Sequence, residues 1–197
     1  MEEQKHIAPL QEKNSWGELI RFAFYAALIV IPLRLFIAEP FIVSGDSMVP
    51  TFKNGQYLIV DELSYNFGNI DRGDVVVFRY PKDPKKYFIK RMIGLPGETI
   101  TINNKGVIIT NSAHPEGFML TEPYISSAPP EQKSIKVTLA EDEYYVLGDN
   151  RPFSSDSRVW GVVPKEDLVG RAIIRLFPLN LISIFPGVHT YAEETQN

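Results

Sequence analysis

The sequence has no cysteine and only three histidines, His6, His114 and His189. Without cysteine there is no disulfide, no thiolate metal site and no thiol nucleophile. The compartment stays open, because disulfide-free proteins occur on both sides of a membrane. With so few imidazoles, chemistry that needs a histidine cluster is hard to assemble. A basic surplus is also missing: 20 Lys and Arg against 24 Asp and Glu leave a net charge of −4. That argues against nucleic acid as the main partner, since nothing compensates a phosphate backbone. No internal repeat stands out and no long amphipathic helix follows Phe41. What is present suits a folded chain: 197 residues, 44% hydrophobic and 22% charged, enough for one domain and an appendage.

The appendage is apolar. Phe22 to Leu33 are 12 residues without a charge, and with Arg34 included the run to Ala38 is 17. A bilayer core takes about 20 apolar residues, with about 17 as the lower bound. Arg34 lies near the end of the run, where a long side chain can snorkel. Phe22, Phe24 and Tyr25 at one end and Phe36 and Phe41 at the other suit interface anchors. A cleaved leader fits less well, because Glu39-Pro40 is a poor cleavage site. A buried or interfacial helix also fits less well, for want of a polar stripe and of charge. The run therefore reads as a retained anchor, with Lys5, Lys13 and Arg21 favouring a cytoplasmic N-terminus.

Beyond Pro40 the texture is that of a mostly β domain. Strands are expected at Gln56–Asp61, Asp74–Tyr80, Tyr87–Ile93, Thr99–Asn103, Gly106–Thr110, Glu143–Leu147 and Leu168–Phe177. Gly and Pro punctuate them at Arg72-Gly73-Asp74, Pro81 to Pro84, Leu95-Pro96-Gly97 and Asn104-Lys105-Gly106. Pro123 to Lys133 reads as a loop and Glu193 to Asn197 as a solvated tail.

Three segments could carry chemistry. Ser44-Gly45-Asp46-Ser47-Met48-Val49-Pro50-Thr51 is either an ordinary turn or a constrained bend that presents Ser47 and its N–H. In Tyr87 to Ile93, strand alternation puts Lys90 with Phe88 and Met92, and Arg91 with Ile89 and Ile93. Lys90 is then either a snorkelling surface residue or an amine whose pKa falls by desolvation. In the second case it can take a serine proton without any histidine. Gly148 to Gly161 is dense in hydrogen-bonding side chains between apolar runs, and either caps a turn or lines a site. Asp156 and Arg158 there can pair.

Together these blocks resemble bacterial type I signal peptidases, the membrane-bound Ser/Lys endopeptidases. The resemblance runs from Phe22 to about Pro178. It takes in the anchor, Ser47-Met48-Val49-Pro50-Thr51, Arg72-Gly73-Asp74 through Phe78, Ile89-Lys90-Arg91 through Gly97, and Gly148-Asp149-Asn150-Arg151 through Gly161, in the family's order. It implies Ser47 as nucleophile and Lys90 as general base, with an acyl-enzyme intermediate. Ser154 matches the serine that orients the lysine. Asp156, Arg158 and Arg91 match the supporting polar groups, and Gly148 and Asn150 the loop that holds them. Met48, Phe52, Leu58, Val77, Phe88 and Ile89 would form shallow pockets for small substrate side chains. Many relatives carry a serine two positions before the nucleophile. Gly45 stands there, so the oxyanion donors are the Ser47 N–H and one of Gly45, Ser44 or water.

The resemblance further implies a β-rich catalytic domain with a single N-terminal transmembrane helix. Residues 1–21 would be a cytoplasmic segment, 22–40 the anchor and 41–197 the extracytoplasmic catalytic domain. Ser47 would then act close to the bilayer surface of the bacterial plasma membrane. The substrates would be exported preproteins bearing signal peptides, with membrane lipid and transient contact with the secretion machinery as further partners. No metal or organic cofactor is implied. Two rivals remain in view. A Ser-His hydrolase would recruit His189, but no Gly-x-Ser-x-Gly elbow exists. A membrane-anchored binding module would use Arg72-Gly73-Asp74 for adhesion, where a polar turn entering a strand is the simpler account.

Overall fold

The computed structural model describes residues 15–36, 38–62, 70–127 and 133–191. His6, Lys5, Lys13, Pro129-Pro130 and the Glu193–Asn197 tail lie outside the described residues. Helix α1 (Ser15–Phe36) comes first. Strands follow in chain order: β1 (Ala38–Ile42), β2 (Tyr57–Asp61), β3 (Val75–Tyr80), β4 (Asp83–Gly94), β5 (Thr99–Asn103) and β6 (Gly106–Thr110). Then come β7 (Phe118–Met119), β8 (Ile135–Thr138), β9 (Glu143–Leu147), β10 (Val163–Pro164), β11 (Leu168–Phe177) and β12 (Ser183–Ile184). A one-turn helix, α2 (Ser157–Trp160), lies between β9 and β10. The protein is mostly β.

The chain divides into one compact unit that ends at Ile37 and another that begins at Ala38. In the first, α1 leaves Phe22, Phe24, Leu28 and Val30 exposed. Among the described residues no helix is long and apolar enough to cross a membrane. In the second, the larger sheet runs β1-β2-β11-β3-β4-β9-β10, with β12 pairing β11, and a smaller sheet runs β7-β6-β5-β8.

Period-2 patterning builds both sheets. In the hairpin β5–β6, Ile100 pairs with Ile109 and Ile102 with Val107 across the strands. All four are buried with Ile93 and Leu147, joining the smaller sheet to the larger. A second cluster gathers Val76 and Phe78 of β3, Met92 of β4, Val146 of β9 and Trp160 of α2. A third holds Val43, Met48, Phe52, Leu58, Val75 and Ala172.

The expected strands form to within a residue apart from the start of β4, and β1, β7, β8, β10 and β12 add to them. β4 starts at Asp83 rather than Tyr87, running through a stretch whose prolines read as a break. β1 was not expected at all, because Pro40 looked like a boundary; it sits mid-strand. Proline lacks an N–H for a ladder, yet an edge strand tolerates it, and β1 pairs only with β2. Strand β4 reaches β9 only from Arg91 onward. Its edge before Arg91 and the outer edge of β1 are therefore both unpaired among the described residues.

Candidate active site

The segment after β1 is a tight bend pinned by apolar anchors. The Val43 N–H donates to Gln56 O at 2.9 Å, and the Phe52 N–H to Met48 O at 2.8 Å. Met48 and Phe52 are buried, which leaves the partly exposed Ser47 at the top of the bend. Gly45 takes φ +89°, a conformation that favours glycine. Its N–H donates to Asn54 Oδ1 at 3.1 Å and so already has an acceptor. The Ser47 N–H donates to no group among the described residues, and Ser44 is exposed.

Lys90 comes from the centre of β4, where it pairs with Val76 as Phe88 pairs with Phe78. It is 4% exposed. Its Nζ lies 2.7 Å from Ser47 Oγ and 2.8 Å from Ile89 O. Burial pushes the amine down from the usual 10.5 to about 8, against a smaller upward pull from the carboxylates of Asp156 and Asp149. Desolvation wins because the ammonium has lost its water while the carboxylates act at a distance. A neutral amine can accept the Ser47 hydroxyl proton while still donating to the Ile89 carbonyl.

The polar loop after β9 carries the rest. Gly148 packs so closely that a Cβ there would sit 2.1 Å from Ser154 Oγ and 2.5 Å from Ser47 O. Its N–H donates to Asp156 Oδ2 at 3.1 Å. Asn150 grips the Ser47 segment twice, N–H to Ser47 O and Nδ2–H to Asp46 O, each at 3.0 Å. Arg91 donates to both oxygens of Asp149 at 2.8 and 2.6 Å, and Thr51 Oγ1 donates to Asp149 at 2.5 Å. Asp156 caps α2 and takes Arg158 Nε and Nη2, both at 2.8 Å. Ser154 Oγ is buried with no hydrogen-bond partner among the described residues. Lys90 is held here by Ser47 and Ile89 O instead.

Of the six residues expected to line small pockets, Val77, Phe88 and Ile89 border a groove of about 320 Å³ that also contains Ser47 and Lys90. Met48, Phe52 and Leu58 lie in the core beneath. Phe41, Ile42 and Tyr87 complete the strand-edge side, and Phe153 and Ser155 the loop side. A larger cavity of about 590 Å³ beside Glu39, Arg79 and Glu166 is lined by no serine or threonine.

Sequence reasoning missed the supports beneath the loop. Arg151 is buried, donates from Nε to Gly148 O at 3.0 Å and forms a two-pronged ion pair with Glu122. Glu122 also accepts from Tyr124 Oη at 2.8 Å, and the Tyr124 ring lies 3.8 Å from the Arg91 guanidinium carbon. Nothing local in the sequence marks Glu122, because its partner is 29 residues away. Asp149 and Thr51 sat inside quoted motifs without a role.

The rivals meet different geometry. The His189 ring packs edge-on to Tyr191 and Tyr124 at 4.7 and 5.4 Å and does not line the groove. Arg72 and Asp74 are each 3% exposed, and Arg72 donates to both oxygens of Glu98 at 2.7 and 2.6 Å. A buried Arg-Gly-Asp offers nothing to an adhesion receptor. Among the described residues no group of His, Asp or Glu could hold a metal ion.

The family model for signal peptidase, peptidase S26, matches residues 16–177. The chain belongs to this family. It is 38% identical over 178 residues to a probable signal peptidase I-2 of Synechocystis sp., across 87% of this chain and 78% of that one. Against a signal peptidase I of Bacillus amyloliquefaciens it is 34% identical over 198 residues, across 91% and 96% of the two chains. A solved signal peptidase I from Enterococcus faecalis aligns with TM-score 0.43 and 29% identity, across 52% of this chain and 96% of that one. This peptidase S26 member is therefore a serine peptidase of the group that removes signal peptides.

Proposed function

We propose that the protein is a membrane-anchored endopeptidase that cleaves signal peptides from exported preproteins with a Ser47/Lys90 dyad. One observation carries this: a lysine amine, buried and pushed down to about 8, lies 2.7 Å from a serine hydroxyl in an open groove. The extended segment before the scissile bond enters between the free edges of β1 and β4 and hydrogen-bonds to them as an added strand. Small side chains fill the shallow apolar surface of Val77, Phe88 and Ile89. Neutral Lys90 accepts the Ser47 proton as Oγ attacks the carbonyl carbon. The Ser47 N–H, free of any acceptor among the described residues, takes the oxyanion, with the Ser44 hydroxyl or water as second donor. The Lys90 ammonium then protonates the leaving amine. A second round, with water in place of the hydroxyl, hydrolyses the ester.

The anchor is the apolar run Phe22 to Ala38, with residues 1–21 cytoplasmic and the catalytic domain on the outer face of the bacterial plasma membrane. The sequence run and the exposed apolar side chains of α1 support it. The catalytic unit adds an apolar rim of its own, with Phe177, Leu179, Ile182 and Ile184 all at least half exposed. Patches of this kind suit contact with lipid.

The test is cleavage of a purified preprotein by the full chain in lipid vesicles. Ser47→Ala should abolish cleavage while circular dichroism and thermal unfolding stay those of a folded protein. Cleavage retained by folded Ser47→Ala removes the assignment.

A further inference from the structure

Phe153 is the anomaly of the site. It is 77% exposed, while Asp149, Asn150 and Arg151 before it on the loop are committed to ion pairs and hydrogen bonds. The ring closes a short 3-10 turn, Arg151–Phe153, with Pro152 fixing one backbone angle. The Phe153 N–H donates to Asn150 O at 3.0 Å, and Asn150 in turn grips Ser47 O and Asp46 O. Arg151 below it is buried against Glu122, and its carbonyl accepts from Arg158 Nη2 at 2.7 Å. The backbone under the ring is thus tied to the nucleophile itself, while the ring is uncovered. An apolar group held this way loses little freedom when something covers it.

Phe153 lines the same groove as Ser47 and Lys90. From Lys90 the strand-edge arm of the groove runs back along β4 to Tyr87, about 10 Å at strand rise. There the Tyr87 ring meets Phe41 across the gap, centroids 5.4 Å apart. That arm takes the chain before the scissile bond. Phe153 is built instead onto the loop fastened to Asp46 and Ser47. The chain after the bond has to leave across this loop. Asp46 is exposed on the same rim, so its carboxylate disfavours an acidic side chain there.

Resting on the peptidase reading above, we infer that Phe153 is a specificity-determining residue that covers an apolar side chain at the first or second position after the scissile bond. The preference concerns the mature end of the substrate, opposite the signal-peptide side.

The test uses one preprotein in which the first and second mature residues are each set to Leu or to the isosteric Asn. The wild-type full chain in vesicles should cleave the better-placed Leu form about tenfold more efficiently in kcat/KM, the scale of a small apolar contact. Phe153→Ala should bring that ratio to about one, and Phe153→Leu should retain most of it. Being exposed, the residue can be changed without disturbing the core. A ratio that Phe153→Ala leaves intact overturns the inference, even if vesicle binding weakens, since the ring would then be a lipid contact. A wild-type ratio of about one at both positions also overturns it. A wild-type chain that cleaves neither form overturns the peptidase reading together with this one.

Discussion

Replacing Lys90 with methionine keeps an unbranched stem as far as Cε and removes the amine. In the folded protein the amine sits near 8, against 10.5 when free in water. The folded state therefore resists protonation that the unfolded chain accepts freely. Each pKa unit is worth about 1.4 kcal/mol, so the burial costs about 3 kcal/mol wherever the unfolded lysine is charged and the folded one would have to be. The sign follows from proton counts. Below about pH 8 both states bind the proton and the cost is complete. Between 8 and 10.5 only the unfolded state binds it, so wild-type stability rises with pH. Above 10.5 neither does, and the cost is gone. Methionine removes this whole profile but also deletes the bonds from Nζ to Ser47 Oγ and Ile89 O. Those contribute about 1 kcal/mol each. Lys90→Met should therefore be more stable than wild type by about 1 kcal/mol at pH 7, and less stable by about 2 kcal/mol above pH 10.5, with no activity at any pH. Urea unfolding followed by near-UV circular dichroism at several pH values reads the difference. The buried tyrosines titrate in both proteins and cancel. A stability difference that stays constant from neutral pH to the lysine range would refute a desolvated amine at residue 90.

Two further outcomes bear on the same site. kcat/KM for preprotein cleavage should rise with pH and level off through a midpoint near 8, as Lys90 loses its proton; a flat profile from about pH 6 to 10, with chemistry limiting, excludes a lysine base. Gly148→Ala should lower kcat at least about tenfold and cost about 1–3 kcal/mol of stability, because the new methyl meets Ser154 Oγ and Ser47 O; near-wild-type turnover would show that the loop and the nucleophile segment are not packed this tightly.

Much of the fold was legible because β-rich apolar runs, several of them alternating, are set off by Gly and Pro. Thr99–Asn103 and Gly106–Thr110 read directly as strands on either side of a short polar break, and they fold as a hairpin. β1 was not legible, because proline argues against a strand unless the strand is known to be an edge, and edge position is a property of the assembled sheet. In the site, the local surroundings of Ser47 and Lys90 left an ordinary turn and a surface lysine open; the family resemblance paired them, and the fold brings Nζ and Oγ within hydrogen-bond reach. Gly45 looked available as an oxyanion donor until Asn54 was seen to take its N–H. Ser154 was expected to orient the lysine by its hydroxyl, which is buried with no hydrogen-bond partner among the described residues. Glu122 could not have been found, since its importance lies in Arg151, reached only by folding.

On the proposed mechanism, the arginines account for how Lys90 can act as base beside two aspartates. Asp149 and Asp156 both act on Lys90 in the direction that keeps it charged. Left unpaired in a low-dielectric interior, each would hold the proton on the amine and silence it at neutral pH. Arg91 covers Asp149 with two bonds and Arg158 covers Asp156 with two, all at 2.8 Å or less, and Thr51 takes a further share of Asp149. The carboxylates then serve as hydrogen-bond acceptors for Gly148, Thr51 and the start of α2, and their upward pull on Nζ stays smaller than the effect of burial. Desolvation is left as the dominant influence on the amine. The adjacent cations of β4 thus divide the work by strand alternation: one face keeps Lys90 dry, and the other lets Arg91 neutralise the aspartate that would otherwise undo it.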